Sequence, residues 1–160
     1  MGQSTKIDIY TDGACSTNGT WDSSYAFVVL EDGLHTRSEG GYLGKATNNI
    51  AELAAVLAAL EYAVNVATKE ITIYSDSAYI VNCFNDKWYI NWERNNWMNA
   101  RKMPVLNQDY WKPIIELYKN SAAPINFVKV KGHSGDKINT EVDRIAVLCK
   151  DTKAPYLEEK

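Results

Sequence analysis

Apolar and polar residues alternate with a period of two at two separated places in the chain, Ile7-Asp8-Ile9-Tyr10-Thr11-Asp12 and Ile71-Thr72-Ile73-Tyr74-Ser75-Asp76. That period buries one face of a strand. Lys6 to Thr11 and Glu70 to Ser75 are therefore expected as strands, each followed by an aspartate. Ser24 to Glu31 and Leu34 to Gly41 flank Asp32-Gly33 and predict a hairpin. From Asn49 onward, Leu53, Leu57 and Leu60 recur at helical spacing among alanines, a composition of high helix propensity. A strand reached across a helix is expected to lie parallel to the first by a right-handed crossover. Strand spacing of about 4.8 Å would bring Asp12 and Asp76 to the same sheet edge, where at an effective dielectric near 20 they repel by ~3 kcal/mol. Such a pair favours a shared proton or a cation.

The remainder of the chain reads as further alternating elements. Ser77 to Asn82 and Asn107 to Lys119 are expected as helices, Asp86 to Pro104 as a Trp- and Asn-rich stretch with helical fragments, and Ile125 to Lys131 as a last strand. A Gly-containing loop and a helix over Asn139 to Lys150 follow, and Asp151 to Lys160 reads as a fraying tail.

Length and composition fit this pattern. At 160 residues, 46% hydrophobic and 23% charged, the chain is expected to form a single domain over residues 1–150. It has no secretory h-region and no apolar run near the ~20 residues that span a bilayer, which predicts a cytoplasmic protein with no membrane partner. Cys15, Cys83 and Cys149 are odd in number and lack CxxC spacing, which points to a reducing compartment and away from a disulfide framework or zinc site. A net charge of −3 advertises no polyanion partner, so any nucleic-acid footprint must be local.

Four acids fall at element ends: Asp12 and Asp76 after strands, Glu52 and Asp143 in what read as first helical turns. Each has an ordinary structural explanation. Asn49 and Glu52 have capping-box spacing, acids in a first turn are favoured by the helix dipole, Asp76 could be an N-cap, and Asp12-Gly13 could be a turn.

Taken together in order, Tyr10-Thr11-Asp12-Gly13-Ala14-Cys15, Thr47-Asn48-Asn49-Ile50-Ala51-Glu52-Leu53, Ser75-Asp76-Ser77 and Val130-Lys131-Gly132-His133-Ser134-Gly135 with Asn139 and Asp143 resemble type 1 ribonuclease H. The match runs from about Lys6 to Lys150. The resemblance implies an α/β fold with a mixed five-stranded sheet, its first three strands antiparallel, flanked by helices. It implies endonucleolytic hydrolysis of the RNA strand of RNA/DNA hybrids with little sequence preference, by a protein expected to be a monomer. By position, the catalytic carboxylates fall on Asp12, Glu52, Asp76 and Asp143, and a mobile proton-transferring histidine on His133. Minor-groove contacts fall on Asn18, Asn48 and Asn49, and a DNA-phosphate pocket on Thr47, Asn107 and Lys45. Trp88 falls in a protruding handle, while Trp92 and Trp97 are expected mainly in the core.

The chemistry agrees with that set. Phosphodiester hydrolysis needs a nucleophilic water, a stabilised leaving oxygen and neutralised phosphoryl charge, which two metals ~3.5 to 4 Å apart supply. Mg²⁺, with Mn²⁺ as a substitute, prefers carboxylates, water and phosphate oxygens. Asp12 is the expected bridging ligand. Two departures stand out: Gly19-Thr20-Trp21-Asp22-Ser23-Ser24-Tyr25-Ala26 is bulkier than the Pro/Gly-rich turn usual there, and Ala78 stands where Gln is often found. A metal-dependent DNA nuclease or resolvase of the same fold, or an inactive hybrid-binding module, are the alternatives.

Overall fold

The structure is a computed structural model that describes residues 4–131 and 137–160. A six-stranded mixed sheet in the order β5-β4-β1-β2-β3-β6 forms its centre. Along the chain, β1 (Ser4–Cys15), β2 (Asp22–Glu31) and β3 (Leu34–Lys45) form an antiparallel meander, followed by α1 (Asn48–Ala63) and β4 (Thr68–Ser75). Helices α2 (Ala78–Asn85), α3 (Trp88–Arg94) and α4 (Gln108–Asn120) precede β5 (Ile125–Lys129), α5 (Lys137–Thr152) and β6 (Tyr156–Glu159). β1 and β4 pair in parallel with Ile7 opposite Ile71 and Ile9 opposite Ile73, the pairing that the repeated pattern predicts.

The alternation in β1 sorts its side chains between two cores. Ile7 and Ile9 are fully buried in the larger core with Leu53, Leu60, Ile71, Ile73 and Trp111, beneath α1 and α4. Tyr10 packs against the smaller core beneath α5, built on Val142, Ile145 and Ala146. β2 feeds both: Phe27 and Val29 point into the first, Ala26 and Val28 into the second. Burying a side chain of Ile or Leu size contributes ~1.5 to 3 kcal/mol, so these strands are fixed in register by the residues that a one-residue slip would expose. Trp111 has no exposed surface, and its indole N–H donates to the Tyr79 hydroxyl (2.7 Å), so its polar edge is satisfied.

The C-terminal segment differs from the fraying tail expected. Tyr156–Glu159 adds β6 antiparallel to β3, with Gly40 opposite Tyr156 and Arg37 opposite Glu159. Arg37 Nη1 pairs with Glu159 Oε1 (3.2 Å), and Lys160 N–H donates to Thr36 O (2.9 Å). The sheet therefore has six strands where five were expected. The reason is non-local: Tyr156-Leu157-Glu158-Glu159 gains its partners only from the open edge of β3. Among the described residues no helix is long and apolar enough to cross a membrane.

Candidate active site

Asp12 lies within β1, opposite Ala26 of β2. The parallel pairing ends with Tyr10 opposite Tyr74, so Asp12 and Asp76 each stand two residues beyond the last matched pair. The Tyr10 and Tyr74 rings stack with centroids 4.5 Å apart, and Thr11 Oγ1 donates to Tyr74 O (3.0 Å), which locks the two strands together just before both acids. Asp76 leads into α2, whose N-cap is Ser77: its Oγ accepts from Ile80 N–H (3.3 Å).

Glu52 comes from α1. That helix begins at Asn48 and is capped by Thr47, whose Oγ1 accepts from Ile50 N–H (3.2 Å). Asn49 is thus inside the helix rather than its cap, and Glu52 lies one residue past the first turn. The same holds for Asp143: α5 starts at Lys137, which puts Asp143 in its second turn. Neither acid is placed to complement a helix terminus, so the dipole explanation for both is removed.

A single peptide group orders the carboxylates. Gly13 N–H donates to Asp12 Oδ1 (2.9 Å) and to Glu52 Oε1 (2.5 Å). Only glycine permits this approach, because a Cβ at position 13 would lie 2.6 Å from the carbonyl carbon of Ala51 and 2.7 Å from Glu52 N. Glu52 Oε2 is buried with no hydrogen-bond partner. Asp12, Glu52 and Asp76 each offer an oxygen within 4.8 Å of the others. All three, with Asp143, line one cavity of about 560 Å³ that Gly13, Asn48, Asn49, Ser77, Asn139 and Thr140 complete.

The electrostatics follow from this crowding. Asp12 is pushed up to about 7, first by burial, then by the charge of Asp76 and a hydrogen bond with Asp143. Glu52 is raised well above the usual carboxylate range by burial and by the charges of Asp12 and Asp76. An orphaned carboxylate oxygen beside two further acids is an arrangement that a hard divalent cation, bound through oxygen, would stabilise. The donor set fits such an ion.

The other expected contact residues divide between those that line the cavity and those that do not. Asn48 and Asn49 line the cavity; Asn18, Lys45, Thr47, Trp88 and Asn107 do not. Asn18 Oδ1 accepts from the backbone N–H and Oγ1 of Thr20 (3.2 and 2.8 Å). Asn107 precedes α4 in a left-handed conformation (φ 64°) without a side-chain cap bond. Lys45 is exposed. Trp88 is half-buried, its ring 6.4 Å from those of Tyr79 and Trp92. Trp92 and Trp97 pack against the larger core, Trp92 edge-on to Trp111 at 5.3 Å. His133 lies outside the described residues. Sequence reasoning did not name Gly13, Ser77, Asn139 or Thr140 as site residues, although Gly13, Ser77 and Asn139 stand in the motifs that carry the resemblance. Ser77 follows Asp76 directly, and Thr140 precedes Asp143 by three positions on one helix face, a spacing that could have found it.

Comparison with known proteins agrees with this geometry. The RNase H family model matches residues 4–149. Ribonuclease H of Clostridium botulinum is 42% identical over 142 residues, spanning 88% of this chain and 93% of that protein. Ribonuclease H of Syntrophomonas wolfei is 43% identical over 144 residues, with the same coverage of 88% and 93%. Among solved structures, LC9-RNase H1, a type 1 RNase H with the type 2 active-site motif, superposes with a TM-score of 0.84 at 19% identity, over 100% of this chain and 79% of that one. LC11-RNase H1 in complex with an RNA/DNA hybrid superposes with a TM-score of 0.69 at 22% identity, over 91% and 97%. The chain belongs to the ribonuclease H family.

Proposed function

We propose that this chain hydrolyses phosphodiester bonds in the RNA strand of RNA/DNA hybrids, with Asp12, Glu52, Asp76 and Asp143 holding two Mg²⁺ ions. The observation that carries the reading is the convergence of acids from β1, α1, the end of β4 and α5 on one open cavity, with a buried carboxylate oxygen of Glu52 left without a partner. Divalent ions bound there supply Lewis-acid polarisation of the phosphate and a water of lowered pKa. The protein's own part is to hold the ligands. Gly13 N–H fixes one oxygen each of Asp12 and Glu52, leaving Glu52 Oε2 buried without a hydrogen-bond partner. Asp76 and Asp143 both raise the pKa of Asp12, so Asp12 would be among the groups that hold the ions.

Substrate recognition falls to neutral donors. Asn48 and Asn49 offer amides to base edges and 2′-hydroxyls in the wide, shallow minor groove of an A-like duplex, which reads shape more than sequence. Thr47 Oγ1 accepts a backbone N–H as the α1 cap, and its own hydroxyl proton remains available to a phosphate oxygen, with Lys45 and Asn107 as the other members of a DNA-phosphate pocket. His133 serves in proton transfer at the leaving 3′ oxygen or the attacking water. LC11-RNase H1, which shares the fold, is known bound to such a hybrid. Residues 4–131 and 137–160 belong to one catalytic domain, which acts as a monomer. Its three free cysteines suit a cytoplasmic setting.

The test is cleavage of labelled RNA/DNA hybrid, double-stranded RNA and double-stranded DNA side by side with Mg²⁺ and with Mn²⁺. Hybrid cutting confined to the RNA strand is expected. Preferential cutting of duplex DNA would instead favour a DNA nuclease or resolvase.

A further inference from the structure

The segment joining β1 to β2 stands at the same end of the sheet as the carboxylates, since β1 delivers Asp12 there and β2 departs from there. Its base is tightly closed. Ser16 N–H donates to Asp22 O (2.8 Å), while Trp21 O accepts from Ala46 N–H (3.1 Å) and from Ser23 Oγ (3.0 Å). Ala46 directly precedes Thr47, and Asn48 and Asn49 just beyond line the carboxylate cavity. The backbone of Trp21 is therefore tied to the stretch of chain that leads into the groove.

Two features of Trp21 run against folding alone. Its side chain is 54% exposed, and its backbone is left-handed (φ 58°), a conformation that glycine or asparagine adopts more readily than a bulky residue. The neighbouring Asn18 carbonyl is already engaged with Thr20, so the contact expected from it is limited to its amide protons. A chain of net charge −3 also has little long-range attraction for a polyanion and benefits from an apolar contact that salt does not screen.

We propose that Trp21 is a substrate-contact residue, its indole packing against the sugar face of the hybrid backbone that borders the groove lined by Asn48 and Asn49. Flat aromatic surfaces hold nucleic-acid chains this way without sequence preference. The proposal rests on the hybrid-cleaving reading above and adds a contact to it.

The experiment measures KM and kcat on a hybrid across a salt series, with melting temperatures, for the wild type and for Trp21→Asn, Trp21→Phe and Leu34→Ala. Asparagine tolerates the left-handed backbone and removes the ring; phenylalanine keeps an aromatic face. Leu34 is 72% exposed at the opposite end of the sheet and serves as the control. Losing the burial of about a third of the exposed indole corresponds to a roughly five-fold change in affinity. Trp21→Asn is therefore expected to raise KM roughly five-fold with kcat kept, a melting temperature equal to or above wild type, and an unchanged slope of log KM against log salt. Trp21→Phe is expected to restore most of the affinity, and Leu34→Ala to match wild type. A KM for Trp21→Asn within the range of the control, failure of phenylalanine to recover any affinity, or a shallower salt slope would overturn the proposal. Absence of hybrid cleavage by the wild type would instead overturn the underlying reading.

Discussion

The two ends of the sheet each carry conspicuous carboxylates, and they are treated in opposite ways. At the hairpin end, Asp32 accepts from the backbone N–H groups of Thr5 (3.1 Å) and Lys6 (2.9 Å), which hold its carboxyl below the usual range. At the other end, Asp12 and Glu52 share one N–H between them, are half-buried beside Asp76, and are driven upward. Asp32 is complete within its own chain and stitches a turn to a strand. Asp12 and Glu52 are incomplete, and what they lack is positive charge. The contrast separates acids that serve the fold from acids that the fold tolerates for another purpose.

The most drastic way to break this contrast is Asp12→Asn. Cleavage is expected to fall by about 10³-fold or more, since a preorganised ligand at the reacting centre is lost. Hybrid binding and the fold should survive, and in metal-free buffer the melting temperature should hold or rise because like-charge crowding is relieved. Near wild-type turnover in an assay at saturating Mg²⁺ would remove Asp12 from the ligand set. Mg²⁺ should also raise the melting temperature of the wild type far more than that of the variant.

A smaller effect is expected at His133, which would act on protons rather than hold metal. His133→Ala should lower kcat by about 10²-fold and flatten the pH–rate profile near neutrality without abolishing cleavage. Single-turnover rates from pH 5.5 to 8.5 would check it. A variant as inactive as Asp12→Asn would require a closer role.

The gentlest probe is pH-dependent stability without metal. Asp12 rises from 3.8 unfolded to about 7 folded, so its contribution is full below 3.8 and is lost as pH climbs through about 7. Asp32 moves the other way: its contribution is present above 3.8 and disappears as pH falls through its lowered folded value. Melting curves in chelator from pH 3 to 8 should therefore show the wild type losing ground to Asp12→Asn as pH rises toward 8. Asp32→Asn should be weaker than wild type at neutral pH and converge with it at the acidic end. Parallel curves for all three proteins would mean that the two ends do not differ as described.

Much of this frame is legible in the sequence because it is local or periodic. The repeated Ile-x-Ile pattern indicates two strands and their parallel pairing, and Leu53, Leu57 and Leu60 mark α1. The gathering of Asp12, Glu52 and Asp76 follows once those elements are joined. What escaped depends on contacts between distant segments. β6 exists because β3 has an edge to fill, which nothing in Tyr156–Glu159 announces. The N-cap of α1 lies two residues earlier than expected because Thr47 rather than Asn49 caps it, a choice between two competent N-cap residues. The double role of the Gly13 N–H depends on how closely Ala51 approaches it. The left-handed backbone at Trp21 accompanies a tie to Ala46, twenty-five positions along the chain.

The strand at the C-terminus has a consequence for association. A bare edge strand is a template for pairing with another chain, and β3 is twelve residues long. β6 occupies its Arg37–Gly40 stretch and sets Glu158 and Glu159 along the rim. The opposite edge, β5, is only five residues long and ends at Lys129. Short edges and charged rims are how sheets avoid sticking to one another. β6 thus leaves the Arg37–Gly40 stretch of β3 without a bare edge to offer a second chain.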